Sequence, residues 1–257
     1  MESQDEGQRL LRQADAHPSR ERLLRAGVKP GLRVLDAGCG AGAVTRELCE
    51  LVGPTGQVTA LEPGARLLSQ ARATLAAFDT VTFVQAGLPS TGLPEATFDL
   101  VWCHLVLEHL RDPEAAVREL VRVVKPGGRV VVCDVDGNGL LNWPQPALVD
   151  DGVARVLAAL EAAGVDLYVG RKLHHLLWRA GLTQLRDWVD PAFAFSVADE
   201  RWLDDWRTRF EALRGLAEPR FPSPAAWEGF VHAFLLMLKD PGVLKYGVLL
   251  TAEGTRA

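Results

Sequence analysis

RVLDAGCGAG, running from Arg33 to Gly42, sets the reading of every other segment of this chain. The apolar pair Val34-Leu35 reads as the middle of a strand that closes on Asp36. Gly38, Gly40 and Gly42 read as a turn, and Ala43 to Leu48 as the start of a helix. Glycine adopts positive φ at little cost and lets a ligand approach the backbone closely. A helix start also offers amide N–H groups with no partner inside the helix, aimed at whatever binds there.

Strand, glycine turn and helix together suit more than one ligand. Gly38-x-Gly40-x-x-Ala43 satisfies the loose dinucleotide pattern, and Glu62 stands about 20 residues further on, where a ribose-binding acid belongs. Asp36 separates the readings. A carboxylate aimed into this loop repels a pyrophosphate and suits a ligand with a positive end, such as an amino-acid ammonium or a sulfonium.

A chain of 257 residues holds one sizeable α/β domain with insertions. Its 48% apolar and 24% charged residues describe a globular protein, and a net charge of −5 argues against the basic face that nucleic acid requires. Cys39, Cys49, Cys103 and Cys133 show neither metal-knuckle spacing nor a disulfide framework, so packing is their expected role and no metal is expected. The polar start MESQDEGQRL lacks a signal-peptide core, and no apolar run approaches the roughly 18–20 residues of a membrane span. A cytoplasmic location is expected.

Strands are expected at Arg33 to Ala37, Gln57 to Leu61, Val81 to Gln85, Phe98 to Cys103, Arg129 to Asp134, Leu182 to Val189 and Tyr246 to Ala252. Helices alternate with the first five. Ser19 is a candidate cap for a short helix, Arg20 to Ala26. Asp112-Pro113-Glu114 is a strong helix start, with a capping acid, proline in the first turn and a second acid against the dipole. Lys125-Pro126-Gly127-Gly128 reads as a turn into strand five. This alternation predicts an α/β fold, a doubly wound Rossmann-like sheet that is mostly parallel with one antiparallel strand near the C-terminus. Ligands of such sheets bind outside the carboxyl ends of the strands. One domain over 1–257 is expected, with a helical cap at 1–28 and helical insertions at 137–170 and 191–244. The last carries Phe193, Phe195, Trp202, Trp206, Phe210, Trp227, Phe230 and Phe234. Aromatics at helical spacing suit a core first, then a lid over the acceptor or a homodimer contact.

The segment from Arg33 to Gly42 resembles motif I of the class I S-adenosylmethionine (SAM) dependent methyltransferases, which usually reads VLDxGxGxG. Four further segments carry the same resemblance: Glu62 after strand two, Ala86-Gly87-Leu88 after strand three, Phe98 to His104 with Leu107-Glu108-His109-Leu110, and Val124 to Gly128. The LEHL segment is similar to the small-molecule branch that includes the menaquinone and ubiquinone C-methyltransferases. The resemblance covers roughly residues 20 to 135 and the closing strands. It implies SAM as cofactor and S-adenosylhomocysteine (SAH) as product. Cofactor contacts then fall on Asp36, Gly38, Cys39, Gly40, Gly42, Glu62, Pro63, Gly87, Leu88, Cys103, His104 and His109. The family often has an acid, bonded to the adenine amine, where Gly87 stands; this chain lacks it, and a backbone contact from Leu88 is what remains.

The implied reaction is transfer of a methyl group to O, N or C of a small organic molecule, with the cofactor supplying reactivity and the protein alignment and desolvation. His104 is the candidate general base, because a neutral imidazole takes a proton near neutral pH. Asp134 and Asp136 lie beyond strand five at the same edge as candidate substrate contacts, and His174-His175 lies in a helix with a packed or surface role. Nucleic-acid amino-methyltransferases are disfavoured, since they carry (N/D)-P-P-(Y/F) where this chain has Cys103-His104-Leu105-Val106. The alternatives are a quinone-type C-methyltransferase, a SAM-binding sensor or cyclase that transfers no methyl, and an NAD-dependent reductase.

Overall fold

The computed structural model describes residues 19–137, 141–195 and 197–257, with the side chains of 141 and 192–195 outside the description. Most of the expected N-terminal cap, residues 1–18, therefore lies outside the described residues, as do the side chains of Phe193 and Phe195.

Helix α1 (Arg20–Arg25) precedes β1 (Arg33–Ala37), α2 (Ala43–Val52), β2 (Gln57–Leu61), α3 (Ala65–Thr74) and β3 (Val81–Val84). Then come β4 (Phe98–His104), a 3-10 turn at Leu107–His109, α4 (Pro113–Val123) and β5 (Val124–Val135). The second half contains β6 (Leu141–Trp143), α5 (Ala147–Ala162), α6 (Leu173–Arg179), β7 (Thr183–Phe195), α7 (Glu200–Ala217), α8 (Pro224–Lys239) and β8 (Leu244–Thr255).

These strands form one eight-stranded sheet in the order β3-β2-β1-β4-β5-β8-β6, with β7 on β8. The first five run parallel, and β8 is antiparallel to β5, β6 and β7. The central strands are buried on both faces: Val34, Leu35, Leu100, Val101, Val130 and Val132 have no exposed surface. Near-continuous apolar runs are what a covered parallel sheet requires.

Several local expectations shift. Ser19 makes no side-chain cap; its hydroxyl accepts from Arg22 Nη2 at 3.1 Å and its amide donates to Glu47 at 3.2 Å. Asp112 does cap α4, accepting from the Ala115 amide at 2.8 Å. Lys125 to Gly128 is a bulge within β5, because pairing jumps from Phe98↔Val124 to Leu100↔Arg129. Strand β7 runs on to Phe195, past the expected end at Val189, because β8 pairs with it from Thr183↔Thr255 to Phe195↔Lys245.

That long β7–β8 ladder places the insertion. Strand β7 runs parallel to β5 and continues past its carboxyl end, and β8 re-enters from the same side. Helices α7 and α8 thus leave and rejoin the sheet at the edge that carries the glycine loop. With α5 they build a core of their own, in which Phe210, Trp227, Phe230 and Phe234 pack ring on ring. Gly152 on α5 makes room for this: a Cβ there would sit 2.0 Å from the Phe230 ring.

Candidate active site

The loop after β1 is held from below by the next strand. The amides of Gly38 and Cys39 donate to Leu61 O at 2.8 and 3.0 Å, and the Gly42 amide donates to Cys39 O at 2.9 Å. The Gly40 amide donates to Glu62 Oε2 at 3.1 Å. The sequence reading left such amides free for a ligand; here these four are spent within the fold. Gly38, Gly40 and Gly42 all take positive φ (88°, 54° and 88°), and a Cβ at Gly38 would strike Val106 at 2.3 Å. Glycine is required there for both reasons.

Two carboxylates lie beneath this loop. Asp36, 2% exposed, accepts from Thr45 Oγ1 at 2.6 Å. Burial pushes its pKa up to about 6; the Thr45 hydrogen bond pulls it down and the Glu62 charge adds to the rise. Glu62 accepts from the Gly64 amide with its other oxygen at 2.9 Å. Thr45 carries no motif signal in the sequence; its place on the inner face of α2, nine residues after Asp36, is what makes it a partner.

This donor set fits a cationic ligand better than a pyrophosphate. Two adjacent acids, one with its pKa raised by burial and by the other's charge, favour a cation. The spent amides offer no anion cradle. A carboxylate oxygen accepts two hydrogen bonds, so the grip of Glu62 on the loop is compatible with a ribose diol at the same group.

The other expected residues distribute around the same edge. Pro63 packs against Gly87, 3.2 Å from where a Cβ would stand, and Leu88 packs on the main core. The Cys39 and Cys103 thiols are buried, which pushes their pKa values upward and keeps them protonated. His104 is half-buried, and its Nε2 is enclosed without a partner. Burial and the Arg22 charge push its pKa down to about 3. The ring is therefore neutral at working pH and a weaker base than the sequence reading assumed. His109 is exposed, with Nε2 3.4 Å from Glu108 Oε1.

Asp134 and Asp136 part company. Asp136 is engaged by Arg171 through two hydrogen bonds, at 2.7 and 3.0 Å. Asp134 is fully buried and accepts from the amides of Val135 at 2.9 Å and Glu108 at 3.3 Å. Burial and the adjacent Glu108 carboxylate push its pKa upward. It anchors the 3-10 turn of the LEHL segment, a role invisible in sequence because 26 residues separate the partners. His174 bonds Asp187 at 2.6 Å on the exposed surface. Among the described residues no group of His, Cys, Asp and Glu is placed to hold a metal, and no helix is long and apolar enough to cross a membrane.

Comparison with known proteins agrees with this geometry. Residues 35–132 match the family model described as a methyltransferase domain. An uncharacterized methyltransferase of Schizosaccharomyces pombe is 32% identical over 212 residues, 73% of this chain and 76% of that protein. A ubiquinone/menaquinone biosynthesis C-methyltransferase of Ectopseudomonas mendocina is 38% identical over 121 residues, and the chain spans less than half of it, 47%. Among solved structures, a methyltransferase from Bacillus halodurans superposes with a TM-score of 0.61 at 20% identity, covering 92% of this chain and 98% of that one. The [4+2]-cyclase SpnF superposes at 0.59 and 18% identity, covering 93% and 80%.

Proposed function

From the premise that this chain belongs to the methyltransferases, we propose that it moves a methyl group from SAM to O, N or C of a small organic acceptor, leaving SAH. The observation that carries this reading is the pair of acids under a glycine loop whose amides are already spent. When bound, SAM supplies an electrophilic methyl group on a sulfonium. The chain's own residues do the rest. Glu62 offers its carboxylate to the ribose hydroxyls. Asp36, pinned by Thr45, supplies negative charge to the positive end of the ligand. The backbone after β4, turned by the Asp134-anchored LEHL segment, lines the same edge. Pro63, Gly87 and Leu88 form a close-packed wall beside it.

His104 serves in this reading as a hydrogen-bond acceptor that orients the proton-bearing group of the acceptor molecule, and as a base only when its pKa is raised. Helices α5, α7 and α8 stand at the same edge and are assigned as the lid over the acceptor. A cytoplasmic setting belongs to the same proposal and suits four buried, unpaired cysteines. C-methylation of a quinone-type ring is the nearest specific version, on the strength of the relative from Ectopseudomonas mendocina. A SAM-binding protein that transfers no methyl, such as a cyclase, is a second reading, favoured by the suppressed basicity of His104; release of SAH in the presence of an acceptor separates the two.

Calorimetric titration with SAM, SAH and NAD(H) tests the cofactor. Binding of the two sulfur nucleotides, lost in Asp36→Ala and Glu62→Ala, is expected. Binding of NAD(H) instead, or of neither sulfur nucleotide, refutes the assignment.

A further inference from the structure

The sheet face beneath α1 carries a set of polar groups of which the proposed chemistry uses only His104. Pairing sets His104, Cys133, Thr251 and Trp188 directly opposite one another on β4, β5, β8 and β7. Residues opposed in register share a face, so these four form one transverse row, with Trp102 two residues before His104 on the same face. His104 Nε2, Trp188 Nε1 and Trp102 Nε1 are enclosed and have no hydrogen-bond partner among the described residues, while the Thr251 hydroxyl has only the Cys133 thiol beside it. Such a concentration of orphaned polar atoms is unusual for a packed interior and asks for a missing partner.

Helix α1 is the roof. Leu23 and Ala26 pack with Trp102 and Val131, and Arg25 pairs with Asp190 at 2.9 Å and lies over the Trp188 ring at 5.6 Å. Arg22 points inward from the same helix and is only 7% exposed. Its Nη2 donates to Ser19 Oγ at 3.1 Å, its Nε has no partner, and among the described residues it makes no ion pair. The nearby carboxylate of Glu47, on α2, spends Oε1 on the Ser19 amide and does not reach the guanidinium. Glu47 feels the Arg22 charge, but a buried guanidinium that no carboxylate of the described residues touches is a costly arrangement, and its planar fork matches paired anionic oxygens. His104 ends β4 and is partly exposed, which sets this end of the row at the edge that carries the glycine loop.

We propose that Arg22 and His104 form the acceptor subsite, and that the methyl acceptor carries an anionic oxygen group, carboxylate or phosphate, which Arg22 holds while the acceptor's O–H or N–H meets the His104 ring. The word acceptor rests on the methyltransferase reading; the anion site does not. The arrangement has a built-in consequence. Arg22 is one of the two causes that hold the imidazole neutral, and an anion on Arg22 offsets its charge. His104 then becomes more basic when the ligand is in place.

The test is calorimetric titration of the full chain with benzoate, inorganic phosphate and the neutral isostere benzamide, each after saturation with SAH. At least one anion is expected to bind tenfold or more tightly than benzamide. Arg22→Gln removes that preference and Arg22→Lys keeps part of it. Benzoate against phosphate tells which anion the site takes. Equal binding of charged and neutral probes, no binding of any, or a preference that survives Arg22→Gln overturns the subsite. Failure of SAH to bind is a different result: it removes the methyltransferase reading and the acceptor with it. Should Arg22→Gln not fold, the imidazole resonances of His104 in the unmodified protein decide. A His104 pKa that rises on saturation with the anion supports the site, and an unmoved one refutes it.

Discussion

Replacing Thr45 by valine, which keeps the shape and removes the hydroxyl, should weaken SAH binding through the charge of Asp36. Thr45 Oγ1 donates to Asp36 Oδ2 at 2.6 Å inside a fully buried pair. A hydrogen bond to a charged group contributes about 1.5–3 kcal/mol. At about 1.36 kcal/mol per pKa unit, its loss raises the Asp36 pKa by about 1–2 units. From about 6, that places it at roughly 7–8. At pH 7 the ionised fraction then falls from about nine tenths to between a half and a tenth. If the cationic end of the ligand needs the ionised acid, affinity at pH 7 falls about two- to tenfold. The deficit shrinks as pH rises through the new pKa and is nearly gone about one unit above it. The assay is calorimetric titration of SAH into both proteins at several pH values between 5.5 and 8.5. The ratio of the two affinities is taken at each pH, so that titration of the ligand itself cancels. A ratio that stays constant over this range means that Thr45 acts by shape. Wild-type affinity that is flat across pH 5.5–7.5 means that Asp36 does not titrate there, and the electrostatic account of the loop fails.

Asp36→Asn should stabilise the ligand-free protein at pH 8 and much less at pH 4. A folded pKa of about 6 against an ordinary value of 3.8 means that the folded state binds the extra proton, so stability is lost as pH rises between those values, by about 3 kcal/mol in full; urea melts showing the same gain at both pH values contradict this. Gly152→Ala drives a Cβ into the Phe230 ring and should cost about 1–3 kcal/mol, read as a lower urea midpoint, while SAH affinity holds; an unchanged midpoint shows that α5 shifts freely. Glu62→Ala removes the acceptor of the Gly40 and Gly64 amides as well as that of the ribose, and should lower SAH affinity at least tenfold by calorimetry, an effect of a few-fold or less counting against the diol contact. His104→Ala should lower turnover with a true acceptor and leave SAH binding within a few-fold of wild type; unchanged turnover removes the ring from the chemistry.

The first half of the fold was legible because its signals are local. Short apolar runs, glycines where φ is positive and the Asp112-Pro113 helix start each act within a few residues, and β1 to β5 with their helices follow from them. The ends of β7 were less legible. The strand runs on to Phe195 because β8 offers it a partner, and a partner some 50 residues away leaves no mark on the pattern of β7 itself. Among the site residues, Asp36 and Glu62 announced themselves by position. What each does was another matter, since the loop amides turned out to be spent on Leu61, Glu62 and Cys39.

Sequence alone thus determined the glycine turn, the acids that flank it and the alternation of strands and helices around them, because a turn that needs glycine and an acid that ends a strand are properties of short stretches. Tertiary structure decided the rest. Arg22 reads in RERLLR like any charged residue on a helix surface; packing of Leu23 and Ala26 on the sheet turns it inward. His104 reads as a base; burial and the same Arg22 strip it of most of its basicity. Asp134 reads as an edge acid; it is enclosed beneath the Glu108 amide. The row from His104 to Trp188 exists only because an antiparallel β8 lies in register between β5 and β7. Dielectric environment and through-space charge are set by which surfaces meet, and no local pattern of residues encodes that.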